Sequence, residues 1–195
     1  MTPFTTLTSI AVPLIRDNID TDTIIPSREI KSTGKTGLAD GLFAPWRYSD
    51  ARIPDPDFVL NNPDFVGAQI LLAGKNFGCG SSREHAVWAL AEYGFRCIIA
   101  ESFAPIFESN CIRNGLLPIT CGRPVDPLFH GQIMTIDLTE QHMSIPGRFR
   151  PFHIDEEARA MLLNGFDAID LTLQHRAAIS QWQAQDRKAR PWVYL

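Results

Sequence analysis

The chain has 195 residues, of which 45% are hydrophobic and 21% charged, with a formal net charge of -4. That is enough apolar material for one well-filled domain and too much for a disordered segment. The acidic balance excludes nucleic acid as the default partner, because phosphate binding calls for a basic face.

No apolar stretch is long enough to span a bilayer. The start, Met1-Thr-Pro-Phe-Thr-Thr6, has no basic n-region, so the expected compartment is the cytoplasm. The four cysteines, Cys79, Cys97, Cys111 and Cys121, are far apart and contain no C-x-x-C pair. A disulfide framework and a self-contained zinc or iron–sulfur site are both disfavoured by that spacing.

In chain order, Leu7 to Ile15 reads as a first strand interrupted by Pro13. Asp17 to Thr23 reads as a polar turn, and Lys31 to Gly37 as a flexible basic loop with two lysines and two glycines. Arg52 to Pro63 carries three prolines and several Asp and Asn, which predicts an irregular excursion. The centre alternates: strand 69–73, helix about 82–93, strand 95–100, helix about 105–114, strand 116–120. Gly94 and Gly115 fall just past the two helices, where C-terminal stops belong. Such alternation predicts parallel strands joined by crossover helices. Gln132 to Leu138 then alternates with period two and predicts a hairpin with Met143–Ile145. A helix is expected from Asp155 to Asn164, followed by a mostly helical stretch from Asp167 to about Lys188, broken near His175. The expectation is one α/β domain over 1–195, with a core at about 7–154 and C-terminal helices at about 155–188.

The segment Gly74-Lys-Asn-Phe-Gly-Cys-Gly-Ser-Ser-Arg-Glu-His85 holds most of the chemistry. It lies between an apolar strand-like run and a helix-like run, the layout of a loop that brings an anion to a helix N-terminus. The plain structural alternative is a tight turn with a capping box, Ser81-x-x-Glu84, or a cap at Ser82. A P-loop needs Gly-Lys-Ser/Thr at its end, whereas Gly74-Lys75 opens this segment. A dinucleotide fingerprint needs a small residue at Arg83, and a nucleophile elbow needs Gly two before and two after the serine. What remains is a serine pair beside a cation. A serine becomes a base only when N–H groups and a fixed charge stabilise its alkoxide. Gly78 and Gly80 let backbone N–H groups approach, and Arg83 supplies the cation and a two-pronged grip on a carboxylate. This set suits proton abstraction next to a carboxylate better than acyl transfer.

Three segments, in register, resemble the swivelling domain of the aconitase superfamily: Asp17 to Pro26, Asn76 to Ala86 and Ser102 to Pro118. Gly41 to Tyr48 and Phe58 to Pro63 further resemble the bacterial small subunits of 3-isopropylmalate dehydratase, so the likeness covers nearly the whole chain. The resemblance implies a three-layer β/β/α fold with a mostly parallel central sheet and a helical C-terminal end. It implies a hydro-lyase of leucine biosynthesis acting on a small dicarboxylic acid, with neither nucleic acid nor membrane as partner. Ser81 would be the catalytic base, Ser82 and Arg83 would hold substrate and alkoxide, and Asp22 would lie in the active site. Gly80 would sit against the substrate. Lys31, Lys35 and Arg28 are competing candidates for a second carboxylate in the substrate-sorting region. An iron–sulfur cluster is expected in a large-subunit partner, with no metal on this chain. Related subunits acting on dimethylmalate, citraconate or homoaconitate-type acids share the chemistry, and a non-catalytic interaction module is the reading of a different class.

Asp17, Asp20 and Asp22 could suggest a calcium loop, but it would lack Gly at its sixth position and Glu at its twelfth. An Asx-type turn is the simpler expectation for Asp17 and Asp20. Cys97 and Cys111 are expected in the core, and His85 is the one histidine near the serine pair.

Overall fold

The computed structural model describes residues 1–31 and 33–194. Its elements in chain order are β1 (Thr6–Leu14), two short helices α1 (Thr21–Ile24) and α2 (Ala44–Arg47), β2 (Ile70–Ala73), α3 (His85–Tyr93), β3 (Cys97–Ala100), α4 (Pro105–Arg113) and β4 (Leu117–Thr120). There follow β5 (Ile133–Asp137), β6 (His142–Ile145), β7 (Arg148–Pro151), α5 (Glu156–Asn164), α6 (Ala168–Leu173) and α7 (Arg176–Ala189).

The strands form one seven-stranded sheet in the order β4-β3-β2-β1-β5-β6-β7. β1 joins two kinds of sheet. Its first half, Thr6 to Ile10, pairs antiparallel with β5, and its second half, Ala11 to Leu14, pairs parallel with β2. β2 and β3 are buried along their whole length, as parallel strands covered on both faces must be. Pro118 is tolerated because β4 is an edge strand, where a missing N–H breaks no ladder.

Side-chain alternation sorts these strands into two cores. Leu71, Ala73, Ile98 and Ala100 face α3 and α4, in a cluster with Ala86, Leu90, Phe107 and Cys111. Ile70, Leu72, Cys97, Ile99, Leu117 and Ile119 face the other way and meet Met134, Ile136 and Met143 of the antiparallel half. The sheet therefore curls onto itself and makes β/β/α layers, as the resemblance implies. Each Leu or Ile so buried contributes on the order of 1.5–3 kcal/mol.

Three local readings differ from expectation. The hairpin is a three-stranded meander: Pro146-Gly147, with Gly147 at φ 76°, turns β6 into β7. Pro-Gly is a type II turn signal, but the charged run Arg148-Phe-Arg150 hides the strand after it. The polar turn after β1 contains α1, capped by Asp20, whose carboxylate accepts from Thr23 N at 2.6 Å. The helix after the glycine segment begins at His85 rather than near Ser82. The C-terminal stretch breaks near His175 as expected, and no α7 residue is buried.

The parallel register of β1 and β2 continues past the strand ends. Gly74 N donates to Arg16 O, Asn18 N to Lys75 O at 2.8 Å, Gly78 N to Ile19 O at 2.7 Å and Thr21 N to Cys79 O at 2.9 Å. Asp17 adds a side-chain rung, accepting from Lys75 N at 2.8 Å. The two loops are thus laced from residue 16 to 21 and from 74 to 79. Both Gly74 and Gly78 sit where a side chain does not fit. A Cβ on Gly74 would lie 2.6 Å from Arg16 O, and one on Gly78 would lie 2.1 Å from the Phe107 ring.

Gly78 also has φ 76°. Strain and clash together predict that Gly78→Ala destabilises the chain by about 2–4 kcal/mol. Urea unfolding of the isolated chain measures this, and a midpoint equal to wild type would show that the loop is not held by Phe107.

Candidate active site

The lacing ends at Ser81. Thr21 is 1% exposed and lies beneath it. Thr21 Oγ1 accepts from Ser81 N at 3.2 Å and lies 3.1 Å from Ser81 Oγ and 3.3 Å from Ser81 O. A threonine hydroxyl has one proton. It can donate to Ser81 O or to Ser81 Oγ, not to both. When Ser81 Oγ carries negative charge, the proton belongs on Oγ, where a charge-assisted bond is about twice as strong as a neutral one. Thr21 is therefore a built-in donor for a Ser81 alkoxide. The sequence points to Asp22 and not to Thr21, because no spacing rule distinguishes Thr21 from Thr23.

Asp22 and Arg83 meet in an ion pair between Asp22 Oδ1 and Arg83 Nη1. The carboxylate side chain is 60% exposed and the guanidinium 26%. A pair so wet contributes at most about 1 kcal/mol. It orients the arginine fork without committing it, so an incoming carboxylate can compete for it. Gly80, Ser81 and Ser82 lie at the surface, and Gly80 takes φ 92°.

The capping box does not form. Glu84 occupies the position before α3 without a side-chain cap. Its carboxylate instead accepts from Asn114 Nδ2 at 2.6 Å, and the Ser81 hydroxyl is turned to Thr21. Ser81 and Ser82 consequently precede the first turn of α3, and the helix dipole is a weaker contributor to an anion there than the sequence suggests. His85 packs its ring on Trp88, with centroids 4.7 Å apart.

The candidates for a second carboxylate separate. Lys31 is exposed at the start of the basic loop. Lys35 Nζ donates to Asn114 Oδ1 at 3.0 Å and lies over the Trp88 ring. Arg28 faces Glu29 at 3.6 Å and lines a polar hollow of about 510 Å3 with Tyr48, Ser49 and Arg52. The loop is better anchored than its composition suggests. Gly37, Leu38 and Ala39 all donate N–H to the Glu92 carboxylate on α3, at 2.6, 2.5 and 2.9 Å.

The family model described as the aconitase C-terminal domain matches residues 1–124. A second, described as the C-terminal domain of the 3-isopropylmalate dehydratase small subunit, matches residues 169–194. The 3-isopropylmalate dehydratase small subunit of Cupriavidus necator is 50% identical, covering 100% of this chain and 99% of that protein. The chain belongs to the 3-isopropylmalate dehydratase small-subunit family. The Agrobacterium fabrum small subunit is 48% identical over 99% of this chain and 100% of its own length. A crystal structure of a 3-isopropylmalate dehydratase from Methanocaldococcus jannaschii superposes with TM-score 0.68 at 29% identity, covering 90% of this chain and 98% of that one.

For a small subunit of this family, the cysteines matter as possible cluster ligands. Among the described residues no group of three or more His, Cys, Asp or Glu is placed to hold a metal ion. Cys97 and Cys111 lie in separate cores, and burial pushes both thiols well above their usual range, away from the thiolate that a metal requires. These residues do not fit a cluster.

In the assembled enzyme, Thr21→Val should lower kcat about ten- to a hundredfold, while Thr21→Ser retains most of it, because one donor to a developing oxyanion is at stake. Steady-state kinetics of the two variants checks this, and equal rates would remove Thr21 from the site. Glu92 carries a second expectation. Burial alone would raise its pKa, but the three amide bonds outweigh it and the net shift is below the ordinary 4.5. A folded pKa below the unfolded one means the interaction is complete above about 4.5 and is lost as pH falls through the lower folded value. The amide resonances of Gly37, Leu38 and Ala39 should therefore titrate together, with a midpoint below 4.5, in an NMR pH series.

Proposed function

We propose that this chain is the small subunit of a 3-isopropylmalate dehydratase of leucine biosynthesis, and that it supplies the serine base to an active site completed by a large subunit. The observation that carries the reading is the exposed Ser81 hydroxyl seated on the buried Thr21, beside the Asp22–Arg83 pair. Full-length likeness to small subunits supports the choice of reaction.

In the interconversion of 2- and 3-isopropylmalate, water leaves one carbon and a proton leaves its neighbour. The alkene is then hydrated in the opposite sense. Ser81 Oγ takes the proton from the carbon next to the hydroxyl-bearing one, holds it, and returns it for the reverse orientation. The accepting form is the Ser81 alkoxide, which becomes the hydroxyl as it takes the proton; Thr21 donates to that alkoxide, and Arg83 turns one edge of its fork to a substrate carboxylate. Ser82 and the Gly80 backbone lie at the same lip, and Lys31 or Arg28 would serve the other carboxylate, since Lys35 is already engaged by Asn114 and Trp88. The iron–sulfur cluster implied by the family would reside in the large subunit and would supply a Lewis acid to the leaving hydroxyl.

The exposure of the lip explains why two chains are needed. In water, a Thr–Ser hydrogen bond is worth about 1 kcal/mol, far too little to generate an alkoxide. Covering Ser81 with a partner surface expels water and strengthens each fixed donor around it.

With the cognate large subunit, Ser81→Ala should co-elute as wild type and turn over 2-isopropylmaleate about a hundred- to ten-thousandfold more slowly. Near-normal turnover would reject Ser81 as the base. Full turnover by the isolated chain would reject the shared site. A parallel assay with dimethylmalate- and citraconate-type acids separates the related substrates.

A further inference from the structure

The side-chain amide of Asn114, at the C-terminal end of α4, is saturated. Oδ1 accepts from Lys35 Nζ and from Trp88 Nε1, each at 3.0 Å. Nδ2 donates to Glu84 Oε1 at 2.6 Å and to Asn110 O at 2.9 Å. Two donors face the oxygen and two acceptors face the nitrogen, so the amide has only one satisfied orientation. Of its partners, Lys35 belongs to the basic loop and Glu84 directly follows Arg83 in the catalytic loop. Two loops far apart in sequence thus end on one amide.

A second contact runs along α3. Glu84, Trp88 and Glu92 follow one another at intervals of four, which places them on one stripe of a helix. Lys35 lies over the Trp88 ring, with Nζ 5.3 Å from its centroid, and Glu92 takes the N–H groups of residues 37–39. The basic loop therefore lies along the same stripe that begins next to Arg83.

We infer that Asn114 is a positioning residue that couples the basic loop to the serine–arginine loop, so that seating Lys35 and orienting Arg83 are a single event. Lys35 acts through Asn114 and Glu84 rather than at the substrate. The kinetic consequence rests on the function proposed above, while the coupling itself is a property of this chain alone.

Amide hydrogen exchange on the isolated chain tests the coupling. Lys35→Met changes an exposed loop side chain and leaves the core intact. It should speed exchange about three- to tenfold in residues 79–84 as well as 35–39, the size of effect expected for residues sharing one network. Asn114→Ala should give the same pattern, and adding Lys35→Met to it should change nothing further in residues 79–84. In the assembled enzyme, Asn114→Ala and Lys35→Met should each raise KM about three- to tenfold with kcat within about twofold, since neither touches the reacting atoms. A Lys35→Met effect confined to residues 35–39, or additive effects of the two variants on residues 79–84, would overturn the inference. Failure of the wild-type pair to turn over 2-isopropylmaleate would instead overturn the proposed function and leave the exchange result to stand by itself.

Discussion

The site depends on the backbone lacing between residues 16–21 and 74–79. A parallel strand pair normally stops where its ladder stops. Here β1 and β2 hand their register to two loops, and those loops keep exchanging hydrogen bonds until Thr21 lies beneath Ser81. The position of the Ser81 hydroxyl is thereby tied to β2, a fully buried strand, rather than to a free loop. The two glycines are the condition for this approach. Gly74 admits the Arg16 carbonyl, and Gly78 admits the Phe107 ring, which is itself packed against Phe77 with centroids 5.3 Å apart.

From that constraint the chemistry divides into a fixed part and an exchangeable part. Thr21 is buried and laced, so the hydroxyl it aims at Ser81 costs little reorganisation if charge develops there. The Asp22–Arg83 pair is half in water and weak, so Arg83 can leave Asp22 for a carboxylate without a large penalty. A base must be held still, whereas a substrate grip must open and close. On the proposed function, the same exposure that makes the grip exchangeable leaves Ser81 too well hydrated to act alone, and this connects the geometry of one chain to the need for a second.

Much of the fold is written in local patterns. The fully apolar runs Ile70-Leu-Leu-Ala73 and Cys97-Ile-Ile-Ala100 identify buried parallel strands, and Asp155 and Asp167 announce their helices by capping them. The glycine–serine–arginine loop is placed by the same patterns, between a buried strand and a helix. What local pattern does not carry is the choice among partners. Ser81-x-x-Glu84 has the form of a capping box, but tertiary neighbours, Thr21 for the serine and Asn114 for the glutamate, win both side chains, and α3 starts three residues late. β7 exists because β6 offers it an edge, not because Arg148-Phe-Arg-Pro151 favours a strand. Thr21 and Asn114 lie in two of the segments that carry the family resemblance, but neither they nor Glu92 name a partner locally, and their contacts arise only where distant segments cross.

α3 is the element through which these crossings communicate. One side of it, Ala86, Val87, Ala89 and Leu90, is buried against the sheet and makes the helix rigid. The stripe of Glu84, Trp88 and Glu92 points away from that side and receives the basic loop. A residue such as Lys35 can then influence Arg83 without touching it, because the rigid helix leaves the stripe only small independent movements. The basic loop and the loop that carries Ser81 share one support. On the proposed coupling, the seat of the basic loop is read as the position of Arg83, beside a Ser81 that the lacing holds over Thr21.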